Sequence, residues 1–189
     1  GDCVYALAVF TDPATGAPRL ACGCDDKKVR IFDPVAGGDA LLVLDIGSDL
    51  NALVVFKEPA TGAPRLACGT GYGDGKVLVF DAISGGDALL VLDVGSEVLA
   101  LVAFENLAPG ALRLASGSGD KKVCVFDPVA GGEALVVLKG HTRDVEALTA
   151  FVDPATGEPR LVSGSNDKTV RVWNPAAGGA AIEAGPGGH

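Results

Sequence analysis

Two blocks of this 189-residue chain recur letter for letter: Pro13 to Gly23 (PATGAPRLACG) returns as Pro59 to Gly69, and Gly37 to Asp45 (GGDALLVLD) as Gly85 to Asp93. Repetition at a fixed period constrains a fold strongly, because each repeat is one supersecondary unit that buries its faces only by stacking on its neighbours. An aromatic marks the period, with Phe10, Phe56, Phe104 and Phe151 following one another after 46, 48 and 47 residues. Four units then account for nearly the whole chain, as one repeat domain with units at about 1–47, 48–95, 96–141 and 142–189.

Each unit holds four short segments of strand character. The first is apolar and β-rich (Val4 to Phe10, Leu50 to Phe56, Val98 to Phe104, Val145 to Phe151), and the second is Arg-Leu-Ala-Cys-Gly or a variant (Arg19 to Gly23, Arg160 to Gly164). The third alternates polar with β-branched residues (Lys28 to Phe32, Thr169 to Trp173), and the fourth is Ala-Leu-Leu-Val-Leu (Ala40 to Leu44). Between them lie Asp-Pro-Ala-Thr-Gly, tight turns such as Asn166-Asp167-Lys168, and Asp33-Pro34-Val35-Ala36-Gly37-Gly38, all turn chemistry. This predicts an antiparallel four-stranded meander per unit. Because the first and fourth segments carry apolar residues on both faces, both faces of each sheet are expected to be covered by neighbours.

Composition excludes several classes. The 27 glycines and 11 prolines interrupt any long helix, and 48% hydrophobic against 21% charged residues is globular rather than disordered. A net charge of −9 argues against nucleic acid and anionic membrane surfaces as partners. Apolar runs such as Val98 to Phe104 are far short of the roughly 20 residues of a membrane-spanning helix. Five cysteines, an odd number, and no Asn-x-Ser/Thr acceptor point to a reducing, cytoplasmic setting. The first residue is not Met, which is read as a piece or processed product of a longer protein.

The fourth unit carries Gly140-His141, a strand opening at Val145, and then Leu161-Val162-Ser163-Gly164-Ser165-Asn166-Asp167-Lys168-Thr169-Val170-Arg171-Val172-Trp173-Asn174. This run resembles the blade of a WD-repeat β-propeller, and the other three units follow the same pattern in degenerate form. The resemblance implies an all-β propeller of four blades per chain. It also implies a hydrogen-bonded tetrad, mapping to His141, Ser163, Asp167 and Trp173 in the one unit that matches fully. Elsewhere Phe32, Phe80 and Phe126 stand for the Trp, and Cys22 and Cys68 stand for the Ser. Asp45-Ile46-Gly47-Ser48 and Asp93-Val94-Gly95-Ser96 replace the Gly-His segment, while the turn aspartate persists as Asp26, Asp74 and Asp120.

Read end to start, His189-Gly1-Asp2-Cys3-Val4 has the spacing of His141-Thr142-Arg143-Asp144-Val145, so the ends fall between blades. Four blades in an open arc would leave two apolar faces in water. The expectation is a homodimer with twofold symmetry closing one eight-bladed ring, against a four-bladed single-chain ring or a fragment of a longer array assembling otherwise.

No cofactor or metal is expected. Gly69-Thr70-Gly71-Tyr72-Gly73-Asp74-Gly75-Lys76 lacks phosphate-loop spacing and a following Ser/Thr, and reads as an elongated hairpin turn. Cys22 and Cys24 offer only two ligands, and Cys22 and Cys68 fill the slot of Ser116 and Ser163, so they read as small packed side chains. Cys3 and Cys124 read as packing or surface residues, and His189 as a remnant. The chain has only two histidines, both at blade junctions, and so offers no partnered nucleophile; an enzyme is disfavoured. The function implied is a scaffold binding a protein or peptide through the face of the second turn, where otherwise similar units differ: Tyr5 with Asp25; Asp49 and Asn51 with Tyr72; Glu97 with Gly119; Arg143, Asp144 and Glu146 with Asn166. The alternatives are a self-assembling repeat module with no dedicated ligand and, last, an enzyme with its site in the central channel. Arg19, Arg65, Arg113 and Arg160 on the opposite face read as structural, pairing with turns of the Asp33 type.

Overall fold

The computed structural model describes residues 3–106, 111–176, 181 and 183–186. They form four sheets of four antiparallel strands, each in simple meander order. The first blade contains β1 (Val4–Thr11), β2 (Pro18–Cys24), β3 (Lys28–Phe32) and β4 (Leu42–Asp45). The second contains β5 (Leu50–Lys57), β6 (Pro64–Thr70), β7 (Lys76–Asp81) and β8 (Leu90–Asp93). The third contains β9 (Val98–Glu105), β10 (Leu112–Ser118), β11 (Lys122–Phe126) and β12 (Val136–Lys139), and the fourth β13 (Val145–Val152), β14 (Pro159–Ser165), β15 (Thr169–Trp173) and β16 (Glu183–Pro186). The described residues form no helix, and none is long and apolar enough to cross a membrane. The expected junction of His189 with Gly1 and Asp2 lies outside the described residues.

The register repeats with the sequence. Val4, Leu50, Val98 and Val145 open the first strands and pair with Cys24, Thr70, Ser118 and Ser165, each followed by a bulge. The turns between second and third strands close on a left-handed residue, Lys27, Lys121 or Lys168, with φ of 64°, 73° and 69°. In the second blade Gly75 takes that position at φ 62°, where a side chain would also collide with the Ser96 backbone. A strand, β7, follows this loop, as the hairpin reading requires.

The first strands β1, β5, β9 and β13 pack successively against one another, and the core lies between blades. One cluster joins Phe10, Val29 and Ile31 of the first blade to Leu66, Cys68 and Phe80 of the second. A second joins Phe56, Val77 and Val79 to Leu114 and Phe126, and a third joins Phe104, Val123 and Val125 to Val145, Leu161 and Trp173. Glycines set the close approach: a methyl group on Gly69 would lie 2.6 Å from Val98, and one on Gly117 2.7 Å from Val145.

Two expectations need correction. The fourth strand begins at Leu42, Leu90 and Val136, so Ala40 and Leu41 lie outside it, and it is not covered on both faces. Leu44, Leu92 and Leu138 are buried, whereas Val43, Val91 and Val137 are exposed, because this strand is the free edge of each sheet and projects past its neighbours. Cys22 and Phe32 are only half-buried, since no other described blade packs on their side of the first.

Substituting Gly117→Ala forces Cβ against Val145 between two packed sheets and is expected to lower stability by about 1–3 kcal/mol. The midpoint of chemical unfolding measures the effect.

Candidate functional site

In the fourth blade β14, the β14–β15 turn and the segment leading into β13 converge on one polar cluster. Trp173 Nε1 donates to Ser163 Oγ at 2.8 Å, and Ser163 Oγ lies 2.7 Å from His141 Nε2. His141 Nδ1 in turn lies 2.8 Å from Asp167 Oδ2. A serine hydroxyl offers one proton and two lone pairs, so Ser163 Oγ can accept from the indole and still bond the imidazole, whose other nitrogen meets the carboxylate. His141, Ser163 and Trp173 are buried, which makes a complete chain of partners necessary.

Burial alone would push the Asp167 carboxyl up. The Thr169 hydroxyl, the Thr142 N–H, His141 and the Thr169 N–H outweigh it and hold the carboxyl well below the usual carboxylate range. Sequence reasoning missed Thr169 and Arg171. The Arg171 guanidinium lies 6.0 Å from the Trp173 ring centroid, and a methyl group on Gly140 would lie 2.6 Å from it, so the glycine before His141 leaves room for the arginine. The signal for Thr169 was the residue two places after each turn aspartate. Lys76 pairs there with Asp74 at 2.7 Å, Lys122 pairs with Asp120, and in the first blade Arg30 reaches Asp26 at 2.5 Å.

The other blades dismantle the cluster to different degrees. In the second, Ile46, Cys68 and Phe80 form one apolar cluster. Ile46 stands four residues before Leu50, as His141 does before Val145, so the histidine, hydroxyl and indole are lost together. In the third, Val94 and Phe126 replace histidine and indole but Ser116 remains, fully buried with no hydrogen-bond partner for its hydroxyl among the described residues.

The residues singled out on the second-turn face fall where the turn meets the segment leading into the first strand of the same blade. The Asp25 N–H donates to the Cys3 carbonyl, and Gly71 N donates to Asp49 O at 2.6 Å. Asn166 Nδ2 donates to Glu146 Oε1 at 2.7 Å, and Ser165 Oγ donates to the Arg143 carbonyl at 3.1 Å. Gly119 N donates to the Glu97 carbonyl and Asn166 N to that of Asp144. A hydrogen bond to Asp25 pushes the exposed Tyr5 phenol up. Tyr72, Asp74, Ser96 and Glu97 line one open hollow across the second and third blades. Asn51, half-buried, stands beside Gly71.

On the opposite face, Arg65 clamps Glu58 and Asp81, each at 2.5 Å, and Arg19 reaches Asp12 at 2.9 Å and Asp33 at 3.4 Å. Arg113 pairs with Asp127 and Arg160 with Asp153 and Glu158. Each arginine ties loops of its own blade together, as Asp33, Asp81 and Asp127 also do by accepting from the N–H groups two and three residues on.

Residues 132–174 match the family model described as WD domain, G-beta repeat, and this stretch contains His141, Ser163, Asp167 and Trp173. Among solved structures, the chain is similar to the computationally designed Ika8 protein, with 29% identity, a TM-score of 0.72, and 98% of this chain aligned to 49% of that one. The fourth unit therefore carries a repeat of the WD family. A second structure, BBS1N in complex with ARL6DN, soaked with lead, aligns at a TM-score of 0.73 with 15% identity over 98% of this chain and 53% of that one, a likeness of fold. The chain thus spans about half the length of both structures. No curated protein matches it. Members of this family are in general non-enzymatic scaffolds.

Equivalent serines are expected to respond with opposite sign. Ser163→Ala strands the indole N–H and Nε2 and costs about 2–3 kcal/mol, whereas Ser116→Ala removes an orphaned hydroxyl and adds about 1 kcal/mol. Thermal and denaturant unfolding of the two variants checks both.

Asp167 is depressed in the folded state, so its contribution is present above the unfolded carboxylate pKa, about 4, and is lost as pH falls below that toward the folded value. Melting temperatures between pH 7 and 3 are expected to fall, and Asp167→Asn to make that fall shallower.

Proposed function

We propose that the chain is a non-catalytic protein-interaction scaffold of the WD-repeat propeller type, and that two copies close one eight-bladed ring by twofold symmetry. The observation that carries the scaffold reading is the contrast between a copied framework and the second-turn face, where Tyr5, Asp49, Asn51, Tyr72, Glu97, Arg143, Asp144 and Glu146 differ from blade to blade. Rigid strands that position variable loops are the usual geometry of recognition. One protein of the same fold, BBS1N, is found in complex with ARL6DN. An enzyme at the channel is disfavoured, since the inner strands are nearly all apolar and both ring nitrogens of His141 are engaged by Ser163 and Asp167. Five free thiols suit a cytoplasmic, reducing setting.

The verbatim blocks favour a second reading, a self-assembling module with no dedicated ligand, because long-separated blades would have drifted. Capture of binding proteins by the immobilised chain separates the two. A specific protein lost with Arg143→Ala plus Asp144→Ala, at unchanged melting temperature and weakening with salt, supports the scaffold, and capture indifferent to these changes supports the bare module.

A further inference from the structure

The three internal junctions show what each blade face requires. Phe10, Phe56 and Phe104 are 8%, 6% and 8% exposed, each covered by the next blade, and Val29, Val77 and Val123 on the same faces are fully buried. Leu50, Val98 and Val145, opening the next first strands, are at most 1% exposed and lie over Gly23, Gly69 and Gly117. The outer turns repeat the theme: Gly85 packs on Leu42 and Gly131 on Leu90 of the preceding blade.

At the two ends the same positions are empty-handed. Phe151 is 45% and Val170 46% exposed, and a methyl group on Gly164 would meet only Ala147 of its own blade, 3.7 Å away. At the other end Val4 is 54% exposed, and Gly37 has nothing within 4 Å. The strand register makes Val4 the counterpart of Leu50, Val98 and Val145. The fourth blade therefore presents an unfilled socket and the first an unseated knob of matching chemistry. One difference is Val162, which adds a larger side chain where the other blades carry Ala21, Ala67 and Ala115.

We infer that a second copy of this chain supplies the missing halves: Val4 of one copy seats over Gly164 of the other, and the first blade covers Phe151 and Val170, at two equivalent junctions. This rests on the eight-bladed reading and adds which surfaces meet. A back-to-back pairing of two first blades would give Val4 no socket, since Gly23 already receives Leu50. A head-to-tail contact closes or grows into a filament according to its rotation. Two copies together would reach about the length of the two similar structures, of which one chain covers 49% and 53%.

Light scattering on the eluting chain tests this, with wild type expected at twice 18.9 kDa. Val4→Asp and Val170→Asp each place a charge in the junction and are expected to weaken association about a hundredfold or more, giving monomers with unchanged far-ultraviolet dichroism. Each variant keeps one sound end, so mixing them is expected to recover heterodimers through one intact junction, which a folding defect cannot do. Variants that stay dimeric, or monomers that fail to recover on mixing, overturn the assigned contact while the dimer of the wild type stands. A monomeric or filamentous wild type overturns the eight-bladed reading itself, and this contact with it.

Discussion

Every blade depends on burial by its neighbours. A four-stranded sheet of this size has no interior, and the three apolar clusters each draw their residues from two adjacent blades rather than from one. Stability is therefore a sum of junctions, with glycines on the second strands thinning one sheet so that the next can approach. It follows that the middle blades are satisfied within the chain and the end blades are each satisfied on one side only.

The polar cluster is subordinate to this packing. A network of indole, hydroxyl, imidazole and carboxylate holds the junction of the third and fourth blades, but the junction of the first and second closes over Ile46, Cys68 and Phe80 without it. Buried polar groups are tolerable as a complete set or as none, and replacing the whole set by apolar groups of similar shape is nearly neutral. Ser116 marks a junction where the replacement stopped one residue short. The turn aspartates outlast the histidine because they do separate work, binding the turn and the cation or hydroxyl that follows it: Arg30, Lys76, Lys122 or Thr169.

The two rims divide the labour. On one, arginine clamps such as Arg65 with Glu58 and Asp81 tie the loops of each blade to its own strands. On the other, the turns are held mainly by backbone hydrogen bonds to carbonyls such as Asp49 and Asp144, so side chains like Tyr72 are free to vary and face solvent. A rigid frame with interchangeable side chains on one face suits recognition better than chemistry, which needs convergent reactive groups.

The strands, their meander order and the tetrad positions could be read from the chain, because period, turn chemistry and alternation are local properties. Thr169 and Arg171 were not found, since each acts on a group whose orientation only the folded turn defines. The exposed Val43 was misread for a related reason: apolar composition says that a strand can be covered on both faces, not that a neighbour reaches it. Sequence by itself determined that four like blades form, because each is encoded in its own contiguous stretch. Only the tertiary structure decided which of the equivalent positions are covered, because Val4 and Val98 or Phe151 and Phe104 differ in nothing local, only in whether another blade stands beside them.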